Sequence, residues 1–583
     1  MLDTTPANLY EEIQAAEDLR DAHLESYTDL VSQFVGSAYR DMSDEGANVP
    51  ENHVYEYLSL TIPRLVHDNP RVRVSTRRPV SQRMTSLAME HGLNRWAKDT
   101  NVRQPLMMAG YDMLLNYGVM MTVQETQPGY DETNPDSPQW PRCYRISPKR
   151  FFVDPLALSF EQARFAGHVW IRDKEDLLDE AKDDDTWNKE FIESVSDDVD
   201  VDNYRDSKSG KNAPTRKEIL GYEVWVPEVQ HDDDLGPREG FNGTIYTISM
   251  AQGTGDEIKV DYLREPRPYY GPPSGPYTMF GAYCVPDNSF PLSPLVAVAG
   301  QSDDLNEHVI AAQRAAAQYK RMVFVDAKNK KLAQDVASSP DNFVVPVENL
   351  DKDSIVPVEL GGVTQQMIGY IQMARERLDR NSGVQDAQRG VVTGDATATE
   401  VQIAEASGSM RFAYIRRQFI DAVNSAIRKA AWFMYHDERV AFPIGVEAAE
   451  AMGQPEPWWI GGVQSMMTGE RFEDLEMEVE AYSMERTNEA LMQKRAMETL
   501  QIVTQSAPMM MQMPFLDWDS LLKIVGDAMN MPELGELIDK QAMQQFLQAQ
   551  QQAAQQQQQQ QQADVAGGPS STTAERAKMA LGM

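Results

Sequence analysis

The segment from Thr397 to His436 limits what this chain can fold into more than any other. Thr397-Ala398-Thr399-Glu400 is a capping box, in which a threonine hydroxyl and a glutamate carboxylate satisfy backbone N–H groups at a helix start. Phe412, Ile415, Phe419, Val423, Ala426, Ala430 and Phe433 then recur at helical spacing. Unbroken to His436, such a helix is ~60 Å long, about twice the diameter of a small domain. Gly408, within Ser407-Gly408-Ser409, costs ~1 kcal/mol relative to Ala in a helix interior and is where a kink is expected. Just upstream, Gln388-Arg389-Gly390-Val391-Val392-Thr393-Gly394-Asp395-Ala396 is too short and glycine-punctuated for regular structure. Its two glycines predict a loop with hinge-like backbone freedom.

Two more helices precede that loop. One is expected from Pro294 to Met322, with Ser293 as N-cap and Pro294 at the first helical position, and spans ~40 Å. The other is expected from Thr364 to Asn381. Between them lie strand-like stretches at Met322 to Val325, Phe343 to Val347 and Ser354 to Leu360. The order is helix, small β module, helix, so antiparallel packing of the helices puts the module at the far end of a stalk. Lys328, Lys330 and Lys331 cluster in the module, either as a solvated turn or as a docking point for an acidic or phosphate-bearing partner.

The first ~40 residues predict a helix with Leu9, Ile13, Ala16, Leu19, His23 and Leu24 on its apolar side. A second is expected from His53 to Asp68, stopped by Asn69-Pro70. Val72 and Val74 suggest a short strand, helices begin near Ser81 and Gln104, and Val119 to Val123 reads as a strand. From Pro141 to Pro291 the pattern turns to β, with strands at Cys143 to Val153, Glu218 to Val226, Gly243 to Met250 and Ile258 to Leu263. Asp183-Asp184-Asp185 and Ser196 to Ser209 read as solvated acidic insertions. Beyond His436 a strand is expected at Leu475 to Tyr482, then a helix from Arg486 to Gln505. Met509, Met510, Met511 and Met513 suit an irregular core. Further helices reach Leu547, and the glutamine run Gln555 to Gln562 precedes a tail of disordered composition. The fold class expected is α+β, mainly helical.

Charge narrows the function. The 583 residues carry 54 Lys and Arg against 89 Asp and Glu, a formal −35. Sequence-independent DNA binders need a basic surface to displace counterions, so this chain cannot grip DNA over much of its area. Solubility, local DNA contact, or enclosing DNA while repelling it remain open. No apolar run approaches ~18 residues, so no membrane span is expected, and the start lacks the pattern of a secretory signal. Cys143 and Cys284, the only cysteines, exclude a disulfide framework and are expected as small buried residues. Gly253-Thr254-Gly255 lacks the third glycine of a dinucleotide fingerprint, and no phosphate loop or H-E-x-x-H exists. Gly271-Pro272-Pro273-Ser274-Gly275 spaces its serine wrongly for a nucleophile elbow. Asp198, Asp200 and Asp202 imitate a calcium loop, but Asn203 stands where Gly is needed and Ser209 where Glu is needed. No catalytic residue, cofactor or metal is expected, and the chain reads as no enzyme.

Ser382-Gly383-Val384, Arg389-Gly390, and Thr397-Ala398-Thr399-Glu400-Val401 with Arg411, Phe412 and Arg416 together resemble the portal proteins of tailed bacteriophages. Ile62-Pro63-Arg64-Leu65 with Asn69-Pro70-Arg71-Val72-Arg73-Val74, and Phe152-Val153-Asp154-Pro155, extend the resemblance. The shared layout covers roughly residues 50 to 545, though the motifs occupy a small part of it. The resemblance implies a twelve-subunit ring at a capsid vertex, a channel for packaging and ejecting DNA. It implies a wing over 1–292 with return strands over 437–482, stem helices over 293–322 and 364–387, and a clip over 323–363. Residues 388–396 become the tunnel loop facing DNA, 397–436 the long kinked helix, 483–545 the crown, and 546–583 a barrel or disordered tail. The implied partners are duplex DNA held without sequence specificity, a terminase large subunit, head–tail adaptors, and major capsid and scaffolding proteins, with no membrane. Lys328, Lys330 and Lys331 become candidate terminase contacts. The implied location is the virion, and the host cytoplasm during assembly. On the residues alone, another virion component such as an adaptor or core protein, and a cytoplasmic enzyme with an unrecognised acidic site, also stay open.

Overall fold

The computed structural model describes residues 2–37, 51–76, 83–130, 137–195, 217–227, 240–252, 258–325, 331, 334, 355–360, 362–382, 398–443, 458–461, 471–480 and 483–484. All lie in the first of two units, Met1–Arg486. The second unit holds most of the expected crown and the glutamine run, which are outside the described residues, as are 388–396 and the Asp198–Asp202 stretch.

Gly36, at φ 77°, ends the first helix, α1 (Pro6–Val35), in the left-handed conformation that glycine adopts without strain. Its inward positions are Leu9, Ile13, Ala16, Arg20, Leu24 and Tyr27. Leu19, expected on that side, is 42% exposed, because the buried spacing of three or four falls on Arg20. The Arg20 guanidinium is held by Glu17 at 3.1 Å and Asp21 at 2.8 Å, which is how a charge survives there. Helix α2 (His53–Leu65) is capped by Asn52, whose side chain accepts from the Tyr55 N–H at 2.9 Å. It ends before the expected Asp68, since Val66 is already extended.

After β1 (Val72–Thr76), helices α3 (Arg83–Asp99) and α4 (Arg103–Leu115) lead into a three-stranded antiparallel sheet. Its strands are β2 (Tyr117–Thr126), β3 (Gln139–Ile146) and β9 (Tyr277–Gly281), in the order β3-β2-β9. At Gly118 a Cβ would stand 2.6 Å from the Ala109 carbonyl and 2.7 Å from the Phe280 ring, so only glycine lets β2 and α4 approach so closely. A five-stranded antiparallel sheet follows the order β4-β5-β6-β7-β8, from β4 (Phe151–Val153), β5 (Ala166–Asp173), β6 (Glu218–Val226), β7 (Phe241–Gln252) and β8 (Ile258–Tyr270). The short helices α5 (Lys174–Asp183) and α6 (Lys189–Ser194) bury Leu177, Phe191 and Ile192 against Ile219 and Leu263 of this sheet. Asp184 is no free solvated loop residue: it pairs with Arg264 of β8 and accepts from Thr186.

The segment expected as one helix to Met322 divides. Helix α7 (Val296–Ala317) stops, and β10 (Lys320–Val325) pairs antiparallel with β11 (Ile355–Leu360). Val323, Phe324 and Val325 are β-prone, and cross-strand pairing outweighs helix continuation. The Ser293 hydroxyl accepts from Leu295 N–H at 3.0 Å and donates to the Leu114 carbonyl at 2.6 Å, fastening this corner to the end of α4. Helix α8 (Gln365–Ser382) comes next, then α9 (Ala398–His436), which keeps helical hydrogen bonding through Gly408. The closing elements are β12 (Ala441–Pro443), β13 (Trp458–Ile460) and β14 (Leu475–Val479). β12 pairs with β13, and β14 returns to β1 with Val72 opposite Val479. The described residues thus form a mixed assembly of helices and antiparallel strands.

Candidate functional region: the helical stalk and the long helix

Antiparallel packing of α7 and α8 follows from contacts along their length. Gly362 N–H donates to the Ala315 carbonyl at 3.2 Å at one end. Two to three turns along, Tyr370 donates to Asp304 at 3.1 Å, and its ring lies 4.3 Å from that of His308. Val298, Leu305, Ala374 and Leu378 make the buried seam, a stripe at the three-to-four spacing of two facing helices. The β10–β11 ribbon leaves from the end where α7 stops and α8 starts, with Lys320 opposite Leu360 and Val325 opposite Ile355. Of the expected lysine cluster, Lys331 is described and exposed, whereas Lys328 and Lys330 lie outside the described residues.

The other end of α8 is tied to α9. Arg411 of α9 donates to the carbonyls of Arg380 and Asn381, both at 3.1 Å. These are last-turn carbonyls without helical partners, so the guanidinium caps α8 and opposes its C-terminal dipole. Gln388 to Asp395 and Thr397 lie outside the described residues. Glu400 and Gly408 fall within α9, whose first residue is Ala398, directly after the expected capping threonine.

From Ile415 onward α9 is the spine of the largest core. Ile415, Phe419, Val423, Ile427, Ala430 and Phe433 join Met113, Val119, Phe280 and Tyr277 in one buried cluster. Phe419 meets Phe280 edge-on at 5.9 Å. Asn424 accepts from the Val479 N–H at 2.7 Å, so the returning strand β14 is registered against α9 as well as β1.

Lys429 breaks the apolar run. It is 3% exposed, and its ammonium donates to the main-chain carbonyls of Tyr277 and Ser274. Burial drives its pKa down to about 7, with the nearby Cys143 thiol acting in the opposite sense. Cys143 is pushed up to about 11 by its own burial. A second buried polar contact adjoins it: the Tyr277 hydroxyl lies 2.8 Å from His168 Nδ1 on β5. Burial also holds His168 below the ordinary imidazole value and raises the Tyr277 phenol well above its own. Sequence spacing passed over Lys429, although it flanks Ala426 and Ala430 on the inward side of the stripe. A further buried ion pair, Asp112 with Arg145 at 2.5 and 2.7 Å, fastens α4 to β3. Cys284 departs from expectation and is exposed.

Among the described residues, no three His, Cys, Asp or Glu side chains converge as metal ligands would, and no helix is long and apolar enough to cross a membrane. No protein-family model and no curated protein matches the chain. Among solved structures, it is similar to a chain from the "Virion of native gene transfer agent (GTA) particle", with 11% identity and a TM-score of 0.31 over 78% of this chain and 85% of that one. A superposition of that quality does not define a shared fold.

Proposed function

We propose that the chain is a structural protein of a phage-like virion, and within that class the subunit of a portal ring that passes DNA through the capsid. The observation that carries this reading is the order α7, β10–β11 ribbon, α8, α9. A two-helix stalk with a small β module at its tip is followed by a long helix whose first turns lie beyond the Arg411 clasp. A ring built from such subunits offers the β ribbon as a protruding docking rim for a DNA-packaging motor and then for adaptors. Residues 388–396, joining the capped end of α8 to the start of α9, are assigned to the channel side. Copies of a chain with formal charge −35 surround a duplex with like charge, so DNA slides without deep binding minima. On this reading the ring hydrolyses nothing and holds no cofactor.

Electron microscopy of the purified chain, alone and with the capsid scaffolding protein, tests it. The expected particle is a closed ring with a central opening wide enough for duplex DNA. A chain that stays monomeric in both preparations, or closes no central hole, overturns the proposal.

A further inference from the structure

Resting on that ring reading, we infer that the acidic face of α1 in one copy packs against the arginine-bearing face of α8 and α9 in the next. The two faces are chemically unlike. On α1, Asp18, Glu25 and Asp29 recur on one exposed side, and the helix's sole arginine, Arg20, is turned inward. Gln33 carries this surface onto α7 by donating to Asp303 at 3.2 Å. Burial, with the charge of Asp29 second, raises the Asp303 pKa, so Asp29 of α1 and Asp303 of α7 lie close enough to feel one another. Leu19, 42% exposed and next to Asp18, adds an apolar contact at the edge of this face.

The second face has the opposite character. Arg377 and Arg380 lie on the exposed side of α8, and Arg417 of α9 is 81% exposed. Arg417 reaches Asp421 only at 3.9 Å, and Glu376 is the other exposed carboxylate nearby in sequence. Met410 and Tyr414, 75% and 44% exposed, stand on the same side of α9 as Arg417, at i, i+4 and i+7. Arginine, tyrosine and methionine are the residues that protein interfaces favour over lysine and glutamate.

The occupant follows from charge. Two copies at −35 repel at long range, so a stable contact between them needs a local complement. The α8–α9 arginines meet that need only against carboxylates, and α1 presents them without an exposed lysine or arginine. Because the faces differ, the contact is head-to-tail, and such contacts propagate around a ring instead of stopping at a dimer.

Charge exchange in the full-length chain tests the pairing, read by native mass spectrometry and sedimentation. D18K/E25K and R377E/R380E are each expected to abolish assembly alone, since each then presents two faces of one sign. All four positions are exposed, so circular dichroism should match the unaltered chain, with melting lowered only slightly in R377E/R380E, where carboxylates meet the C-terminal dipole of α8. Mixed in equal amounts, the two variants should regain assembly within about tenfold of the original concentration dependence, as matched interfacial charges do. Variants that assemble alone, or a mixture that stays monomeric, overturn this interface while the ring reading stands. An unaltered chain that forms no ring removes the ring reading and this inference with it.

Discussion

The α7–α8 stalk and the α9–sheet body are both built on helices, yet they bury very different amounts. The stalk seam consists of Val298, Leu305, Ala374 and Leu378, with Val309, Tyr370 and Ile371 partly covered. The body surrounds α9 on several sides, and Phe419, Ala430, Ala431 and Met434 have no exposure at all. Ordering a residue costs ~1–2 kcal/mol of backbone entropy wherever it sits, so the stalk is repaid far less per residue than the body. Ile368 and Met373 remain 47% and 38% exposed on α8. The comparison teaches that the body is held by a core on several sides, whereas the stalk is held by a single thin seam.

The body has one internal opponent, and removing it gives the largest expected effect. Lys429 has its pKa lowered to about 7 by burial, against 10.5 for an exposed lysine. The unfolded chain therefore holds a proton that the folded chain releases between pH 7 and 10.5. The cost to folding is greatest at and below pH 7 and fades as pH rises. Lys429→Met, similar in volume and without charge, should relieve up to about 5 kcal/mol at and below pH 7, offset in part by the Tyr277 and Ser274 carbonyls it leaves without that donor. From pH 7 to 9 the gain should shrink by about 1.4 kcal/mol per unit, measured by denaturant unfolding of both chains. This window lies below the pKa of about 11 to which burial raises Cys143, so that thiol stays neutral in the fold. A gain that is constant with pH would mean that Lys429 stays charged inside.

Phe419→Ala comes next, with an expected loss of about 4 kcal/mol. Its ring is fully buried between Phe280 and the α4 backbone at Gly110, where rigid neighbours cannot collapse into the gap. Leu305→Ala in the stalk removes a side chain that is equally buried. The loss there should be nearer 2 kcal/mol, since two helices joined by a thin seam can close on a cavity. Hydrogen exchange of α7 and α8 checks this directly: protection should fall in those helices and persist in α9. Equal losses at the two positions would erase the distinction between stalk and body.

Much of this division was legible in the sequence, for identifiable reasons. The stripe Ile415, Phe419, Val423, Ala426, Ala430, Phe433 is long and strictly periodic, and it marked α9 to its final residue, His436. Glu218 to Val226 stood out as a strand because β-branched and aromatic residues lie between clear breaks. What escaped were features set by charge pairing and by main-chain partners, which apolar periodicity does not register. Arg20 replaces Leu19 inside α1 because Glu17 and Asp21 can neutralise it, which apolar periodicity does not count. The strand β10 is expected only from Met322, and its first residues, Lys320 and Arg321, read as helix because their partners Leu360 and Glu359 are far along the chain. Lys429 and Arg411 act on main-chain carbonyls, which leave no signature in side-chain order. The proposed interface between copies has no local motif either. It emerges only when exposed charges on α1, α8 and α9 are viewed together.

The smallest effect is expected where the stalk end of α9 meets solvent, at Tyr414. Its ring stacks on Tyr283 at 5.7 Å with planes 13° apart, but the side chain is 44% exposed, so much of its area already contacts water. Tyr414→Ser should cost the isolated subunit about 0.5 kcal/mol, the value of one solvent-exposed aromatic contact. The same change should shift assembly by far more, because the ring would then be lost from a desolvated contact beside Arg417. Measuring subunit unfolding and assembly on this one variant separates the two roles. An assembly shift no larger than the subunit loss would make Tyr414 an ordinary surface tyrosine, and α9 would then pack against nothing beyond its own chain.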